Sequence, residues 1–520
     1  MPGERHHADV EAALQYHNRT KHTEERLREY PHQLDWPNQP LPFKIYRNVE
    51  SVPLPADPTL LSGTTPPALA AIGSAQDAGD QDAQEVVPDL GVLTRVLYLS
   101  AGITKRKRLP GGSELYFRAY PNTGALYHVD VYLATADLPD LPAGVYHFGP
   151  EDFALHRLRT GDYRAHLVDA TGLHPRIAEA PVILATASTY WRNAWKYRER
   201  AYRHCFWDAG TLHANLLAVA GGESGNSLKP TVVMGFADAT LEALLGLDPA
   251  REGALTLVPL GRTGSPPPSP PSLEPLTLET QPVSRSEVDY PLIRETHAAS
   301  SLRSGKAAAQ WRSAAHTEDR DLEIAPAAGA ERSLADVIRR RGSTRAFDRA
   351  ASISLEALSN ALRVATAGIP ADFLGPPAAT LLELYLIVNA VEGLNPGIYR
   401  HGRHDQTLEL LREGNFRREA GRIALGQALA ADAAVNVYST CDLEAVLERF
   451  GNRGYRAAQL EGGITGGRLY LAAYAQGFGA TGLTFFDDEV IELFSPAAAG
   501  RSVMFLTAMG RADRAALRGR

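Results

Sequence analysis

The sequence matches itself at a constant offset of 253 residues. Tyr132, Gly144, Tyr146, Gly149, Leu155, Leu158 and Gly161 recur as Tyr385, Gly397, Tyr399, Gly402, Leu408, Leu411 and Gly414. Further on, Arg200, Tyr202, Arg203, Gly210 and Leu216 recur as Arg453, Tyr455, Arg456, Gly463 and Leu469. The period is too long for a solenoid, whose units run to roughly 20–50 residues, so the chain reads as a duplicated domain. Each copy has the same order of elements. A Val/Leu/Tyr-rich strand (129–135, 382–388) precedes a Pro/Gly turn and a short strand (144–148, 397–401). A further strand (182–186, 434–438) leads into a long amphipathic helix (197–220, 454–476). Residues 9–16 and 333–341 read as helices ahead of the two copies. The expected fold is α+β, a sheet with packed helices in each half, the halves packing as a C2 homodimer would.

Composition narrows the function. Of 520 residues, 44% are hydrophobic and 22% charged, which suits sizeable cores and excludes a disordered or fibrous chain. No apolar run approaches the roughly 18 residues of a membrane span, and the first 30 residues hold no apolar secretory segment. Cys205 and Cys441 stand alone, arguing against a disulfide framework or a metal finger. A net charge of -7 argues against a nucleic-acid surface. A cytoplasmic protein that engages neither membrane nor nucleic acid is expected. The Pro-rich stretch 261–272 divides the chain into 1–260, a connecting segment 261–325, and 326–520; 63–84 reads as a long loop.

Three motifs could carry chemistry. Arg339–Arg345 surrounds a Gly-Ser turn with guanidinium groups, which suits a dianionic phosphate. The basic run 17–22, with Arg19 and Lys21, is the place taken as equivalent in the first copy. The turn Pro121-Asn122-Thr123-Gly124 lets backbone approach a flat ring; the second copy has 374–380 there, without the Asn-Thr-Gly chemistry. Lys196, Arg200 and Arg203 share a helix face at i, i+4 and i+7, a stripe that suits an anionic substrate. Lys196 and Tyr197 are replaced by Arg449 and Phe450 in the second copy, which deletes acid–base chemistry. The first copy therefore reads as catalytic and the second as supporting.

Together these residues resemble the flavin-dependent nitroreductase superfamily, in particular its SagB-type branch, which includes azoline oxidases. Arg340, Arg341, Ser343 and Arg345 are similar to the family's FMN phosphate motif, and Pro121–Gly124 to the turn beside the flavin ring. Gly479, Ala480, Thr481 and Gly482 resemble a loop near the flavin; 16–23 and 34–46 resemble the opening of SagB-type chains. Lys196-Tyr197 is similar to the pair regarded as catalytic in azoline oxidases. The resemblance implies two tandem nitroreductase-like domains, with FMN between them. It pairs the 340–345 cluster with 121–124 at one site, and Arg19 and Lys21 with 374–380 at the other, the second weakened or empty. It implies oxidation of an azoline or similar peptide-derived heterocycle, with O2 reoxidising the flavin and other biosynthetic enzymes as partners. Alternatives are an NAD(P)H-dependent nitro or quinone reductase and a non-catalytic scaffold.

Overall fold

In the computed structural model, residues 10–57, 61, 65–73, 85–109, 112, 114–222, 228–315, 332–375 and 379–513 are described. Two six-stranded antiparallel sheets form the frame. In the first half the strand order is Ser51–Pro53, Ala154–Thr160, Gly144–Gly149, Val129–Thr135, Val182–Thr189, Glu252–Leu260. In the second it is Thr407–Glu413, Gly397–Gly402, Glu383–Val388, Val435–Cys441, Ser502–Gly510, Gly479–Gly482. The duplication reaches down to irregularities. Bulges between Val145/Tyr146 and Thr186/Ala187 recur between Ile398/Tyr399 and Ser439/Thr440, at the same 253-residue offset. The chain thus holds two matching α+β halves as a pseudo-dimer.

The repeated glycines and arginines explain how the halves join. Helices Ala201–Gly221 and Arg453–Ala475 cross in contact, and nearly all of their residues are buried. A Cβ on Gly210 would lie 2.5 Å from the Leu460 carbonyl oxygen, and one on Gly463 would lie 3.0 Å from the Gly210 Cα. Only hydrogen fits between the two backbones, so the repeated glycine meets its own copy. A second crossing joins Pro67 to Ser333, where Ala68 N–H donates to Arg332 O and Leu334 N–H to Pro66 O, both at 3.0 Å.

Two matching ion clusters flank the crossing. Arg200 and Arg203 donate to the Asp487 carboxylate at 2.9 and 2.6 Å; Arg453 and Arg456 donate to Asp238, each at 2.7 Å. Each aspartate starts a helix, Asp238–Leu245 or Asp487–Phe494, and reaches from one half to the long helix of the other. Arg203 also donates to His17 O and Thr20 Oγ1, as Arg456 does to His297 O and Ser300 Oγ. Helix Glu11–Arg19 therefore corresponds to helix Pro291–Ala299. The segment 261–325 accordingly carries helices Pro291–Ala299 and Gly305–Arg312, and the stretch 63–84 carries helix Ala68–Gly73. Residues 9, 62–64, 74–84 and 316–325 lie outside the described residues.

Removing Asp487 would strand two buried guanidinium groups. Asp487→Ala is expected to cost about 3–5 kcal/mol, read as a shifted urea midpoint. Burial raises the Asp487 carboxyl, but Arg200 and Arg203 outweigh it and hold it below the ordinary carboxylate range. Its stabilising share is present above the unfolded pKa of about 4 and is lost as pH falls toward the lower folded value.

Candidate active site between the halves

The helix Tyr190–Tyr197 breaks at Arg198, whose φ of 49° turns the chain before the long helix begins. The break leaves Lys196 and Tyr197 at a helix end. Tyr197 packs on the turn: a Cβ on Gly124 would lie 2.9 Å from its hydroxyl, and Gly124 has φ of 67°. The turn is fixed from below. Asp208 accepts from Thr123 N–H at 3.0 Å and from Thr123 Oγ1 at 2.8 Å, and lies 2.7 Å from His128 Nε2. Thr211 Oγ1 donates to Pro121 O at 2.6 Å, and Tyr127 N–H donates to Asn122 Oδ1 at 2.8 Å.

The second half supplies the facing wall. Thr344 N–H donates to Ala480 O at 2.9 Å, which joins the arginine cluster to the strand Gly479–Gly482. The Gly482 N–H donates to the Tyr470 hydroxyl, and Ser343 Oγ lies 3.3 Å from the same oxygen. Thr481 is buried, while Gly482 is exposed. Arg345 reaches across: its charge is felt by both Lys196 and Tyr197. Burial, then the Arg345 charge, lowers the Lys196 ammonium below its ordinary value. Burial, then the Asp208 carboxylate, raises the Tyr197 phenol, with Arg345 opposing. At neutral pH Tyr197 is thus a proton donor, and Lys196 is the group brought nearer to accepting a proton.

The expected site residues divide into three groups. Lys196, Tyr197, Pro121–Gly124, Ser343, Arg345 and Gly479–Gly482 converge on one interface. Arg341 belongs to the seam: it donates to Ala119 O at 3.1 Å and Arg118 O at 2.9 Å, holding the halves together beside the turn. Arg340 is exposed. Arg340, Arg345 and Lys196 have no hydrogen-bond or ion-pair partner among the described residues.

Four expectations are corrected. Arg200 and Arg203 do not present charge to a substrate; both are buried on Asp487, which relieves the repulsion along their helix face. Arg19 is exposed and Lys21 pairs with Asp488 at 2.8 Å; residues 376–378 of the turn expected opposite them lie outside the described residues. By the Pro67–Ser333 crossing, the counterpart of Arg341–Arg345 follows helix Ala68–Gly73. That stretch, 74–84, contains no Lys or Arg and carries Asp77, Asp80 and Asp82; it lies outside the described residues. At the second interface, the described residues bond directly across the halves. Asp372 accepts from Met234 N–H and Gly235 N–H at 2.9 and 2.8 Å, and Val232 N–H donates to Pro370 O at 2.8 Å.

Sequence reading missed Asp208 and His128, which lie far from the turn in sequence and belong to no spacing pattern. His213 is a core residue bonded to Thr256.

A flavin phosphate fits the chemistry of the open interface. Among the described residues Arg345 and Lys196 lack counterions there, the Asn122 Nδ2 donor is buried without a partner, and two exposed glycines leave backbone accessible. Gly124→Ala is expected to strain a left-handed backbone and push Tyr197 aside. A loss of about 1 kcal/mol or more in thermal stability would report it.

Comparison with known proteins agrees with this architecture. Residues 338–511 match the nitroreductase family model. A protein of Methanocaldococcus jannaschii named as a nitroreductase is 26% identical over 170 residues, 33% of this chain and 79% of that one. The microcin B17-processing protein McbC of Escherichia coli is 28% identical over 136 residues, 25% of this chain and 49% of that protein. A crystal structure from Anabaena variabilis, described as a nitroreductase, superposes with a TM-score of 0.74 at 26% identity, covering 97% of this chain and 100% of that one. The chain is nitroreductase-like over nearly its whole length, and residues 338–511 form a nitroreductase-family domain.

Proposed function

We propose that the protein is an FMN-dependent oxidoreductase with one working site, oxidising an azoline or similar heterocycle of a peptide-derived substrate. One observation carries this reading: the Lys196-Tyr197 end of the first half is brought to Arg345 of the second, beside the Gly124 turn. Arg345 and Ser343, with Arg340, would hold the phosphate; Pro121–Gly124 and Gly479–Gly482 would border the ring. When bound, FMN supplies the two-electron acceptor. The chain's residues do the rest. Tyr197 Oη donates a hydrogen bond to the substrate and stays protonated, because burial and Asp208 both oppose the phenolate. Lys196 Nζ takes the proton released as the heterocycle becomes aromatic, which its lowered basicity permits. The similarity to a peptide-processing protein supports a modified-peptide substrate and biosynthetic partner enzymes. That no described helix is long and apolar enough to cross a membrane agrees with action in solution.

A second reading, NAD(P)H-dependent reduction of nitro compounds or quinones, is favoured by the whole-chain likeness to a protein described as a nitroreductase. Lys196→Ala separates the two. With flavin content kept, heterocycle oxidation should fall by about 10²-fold or more on loss of a general base. Unchanged oxidation, or quinone reduction as the only turnover, would favour the reductase.

The pH profile makes a sharper statement. Oxidation should rise with pH through one ionisation below the ordinary lysine value of about 10.4. Arg345→Gln, assayed with saturating FMN, removes a positive neighbour and should move that ionisation upward. A downward shift or none would contradict the assignment of Lys196.

A further inference from the structure

Helices Leu90–Ala101 and Leu355–Thr366 hold matching places, each ahead of strand Val129–Thr135 or Glu383–Val388. What joins helix to strand differs. In the second half, 367–382 does so without a further strand pair among the described residues. In the first half, 102–128 carries an added ribbon, Ile103–Arg108 paired antiparallel with Glu114–Arg118. The ribbon thus belongs to the half that keeps Lys196 and Tyr197. Its base is tied to the interface: Ala119 N–H donates to Gly102 O at 2.9 Å, and Arg341 holds the carbonyls of Arg118 and Ala119. Pro121, where the turn beside the site begins, follows Arg118 by three residues, at most about 10 Å of extended chain.

One strand of the ribbon ends in Lys105-Arg106-Lys107-Arg108, all exposed, in a chain whose net charge is -7. Alternation sorts these cations onto two faces. On one face Arg106 stands opposite Tyr116 and donates to the Glu151 carbonyl at 3.1 Å, and Arg108 pairs with Glu114 at 3.1 Å. The carboxylates whose charge reaches the ribbon, Glu114 and Glu151, both act on that face, at Tyr116. On the other face Lys105 stands opposite Phe117 and Lys107 opposite Leu115, which is exposed. That face has no acidic residue on either strand, and the connecting residues 109–113 are uncharged. Neither lysine has an ion-pair partner among the described residues; Lys105 Nζ lies 5.8 Å from the Phe117 ring centroid. The lysine face therefore carries uncompensated positive charge. Among the described residues Ile103–Arg108 is paired along one edge only, so its other edge presents a row of backbone N–H and C=O groups.

We infer that the ribbon is a docking strip for an extended acidic segment of the peptide-derived substrate, which adds along the free edge of Ile103–Arg108 as a third strand. The inference rests on the peptide reading of the interface site. Carboxylates at alternate positions of such a strand fall on the lysine face, within reach of Lys105 and Lys107. Chain continuing past the ribbon's base then runs toward the 121–124 turn, so docking delivers a neighbouring heterocycle to the site. A nucleic acid or an anionic bilayer would use the charge but leave the strand edge unpaired, and the acidic chain as a whole repels both.

The test is fluorescence anisotropy of the intact protein, purified with FMN, with fluorescein-labelled octapeptides that alternate Glu with Thr or Gln with Thr. The Glu peptide should bind tenfold or more tighter than the Gln peptide, and added salt should weaken it. Replacing Lys105 and Lys107 together by serine should weaken it tenfold or more, while flavin content and the urea midpoint stay unchanged. A Glu peptide methylated at every backbone nitrogen, which cannot donate to a strand edge, should also lose tenfold or more. Equal binding of the Glu and Gln peptides, no binding at millimolar peptide, or unchanged binding by the double variant would each overturn the inference. So would undiminished binding of the methylated peptide, or tighter binding of a labelled oligothymidylate or of phosphatidylserine vesicles. Binding is read without turnover: if Lys196→Ala leaves oxidation unchanged while the double variant still loses the Glu peptide, the flavin reading fails and the docking strip stands.

Discussion

Gly210 against Gly463 is the contact on which the rest depends. With only hydrogens between them, helices Ala201–Gly221 and Arg453–Ala475 approach until backbone meets backbone. That separation brings Asp487 within reach of Arg200 and Arg203, and Asp238 within reach of Arg453 and Arg456. Any larger residue at the crossing would part the helices and leave four buried guanidinium groups without their carboxylates. The same seam sets Arg341 on the carbonyls of Arg118 and Ala119, and so fixes the arginine cluster beside the Thr123–Gly124 turn. A site assembled from two halves needs this rigidity, because no single half contains it.

Symmetry built the frame and asymmetry built the site. Both halves keep the crossing glycine, the arginine pair and an acid beneath the turn: Asp208 holds Thr123, and Glu461 holds Thr380. They part where chemistry is at stake. Lys196 and Tyr197 face an open, cationic interface, whereas Arg449 donates to the Ala314 carbonyl and Phe450 packs against Trp311. At the second interface Asp372 accepts directly from Met234 N–H and Gly235 N–H. A duplicated chain can change one site without disturbing the other, which a homodimer with identical chains cannot do.

The sequence showed the fold class and the main strands because both are carried by local patterns, alternation and the 253-residue repeat. It also brought Lys196, Tyr197, Gly124 and Arg345 into view as candidates. It misassigned the repeated arginines, since identity between copies marks what both copies need, and both need the clamp rather than the substrate. The partner Asp487 lies 284 positions from Arg203, beyond any local pattern. Arg19 and Lys21 were aligned with the arginine cluster by charge alone. The true counterpart of His17 is His297, recognisable only once both carbonyls are seen under equivalent arginines. The paired strands Ile103–Arg108 and Glu114–Arg118, present in one half among the described residues, were invisible to a comparison of halves.

The central claim is that two homologous halves make one working flavin site. Bound flavin per chain, measured by absorbance on protein purified with excess FMN, tests it most directly. One equivalent, lost when Arg345 and Ser343 are both replaced by alanine, is the predicted result. Two equivalents, or one that survives that double replacement, would contradict it.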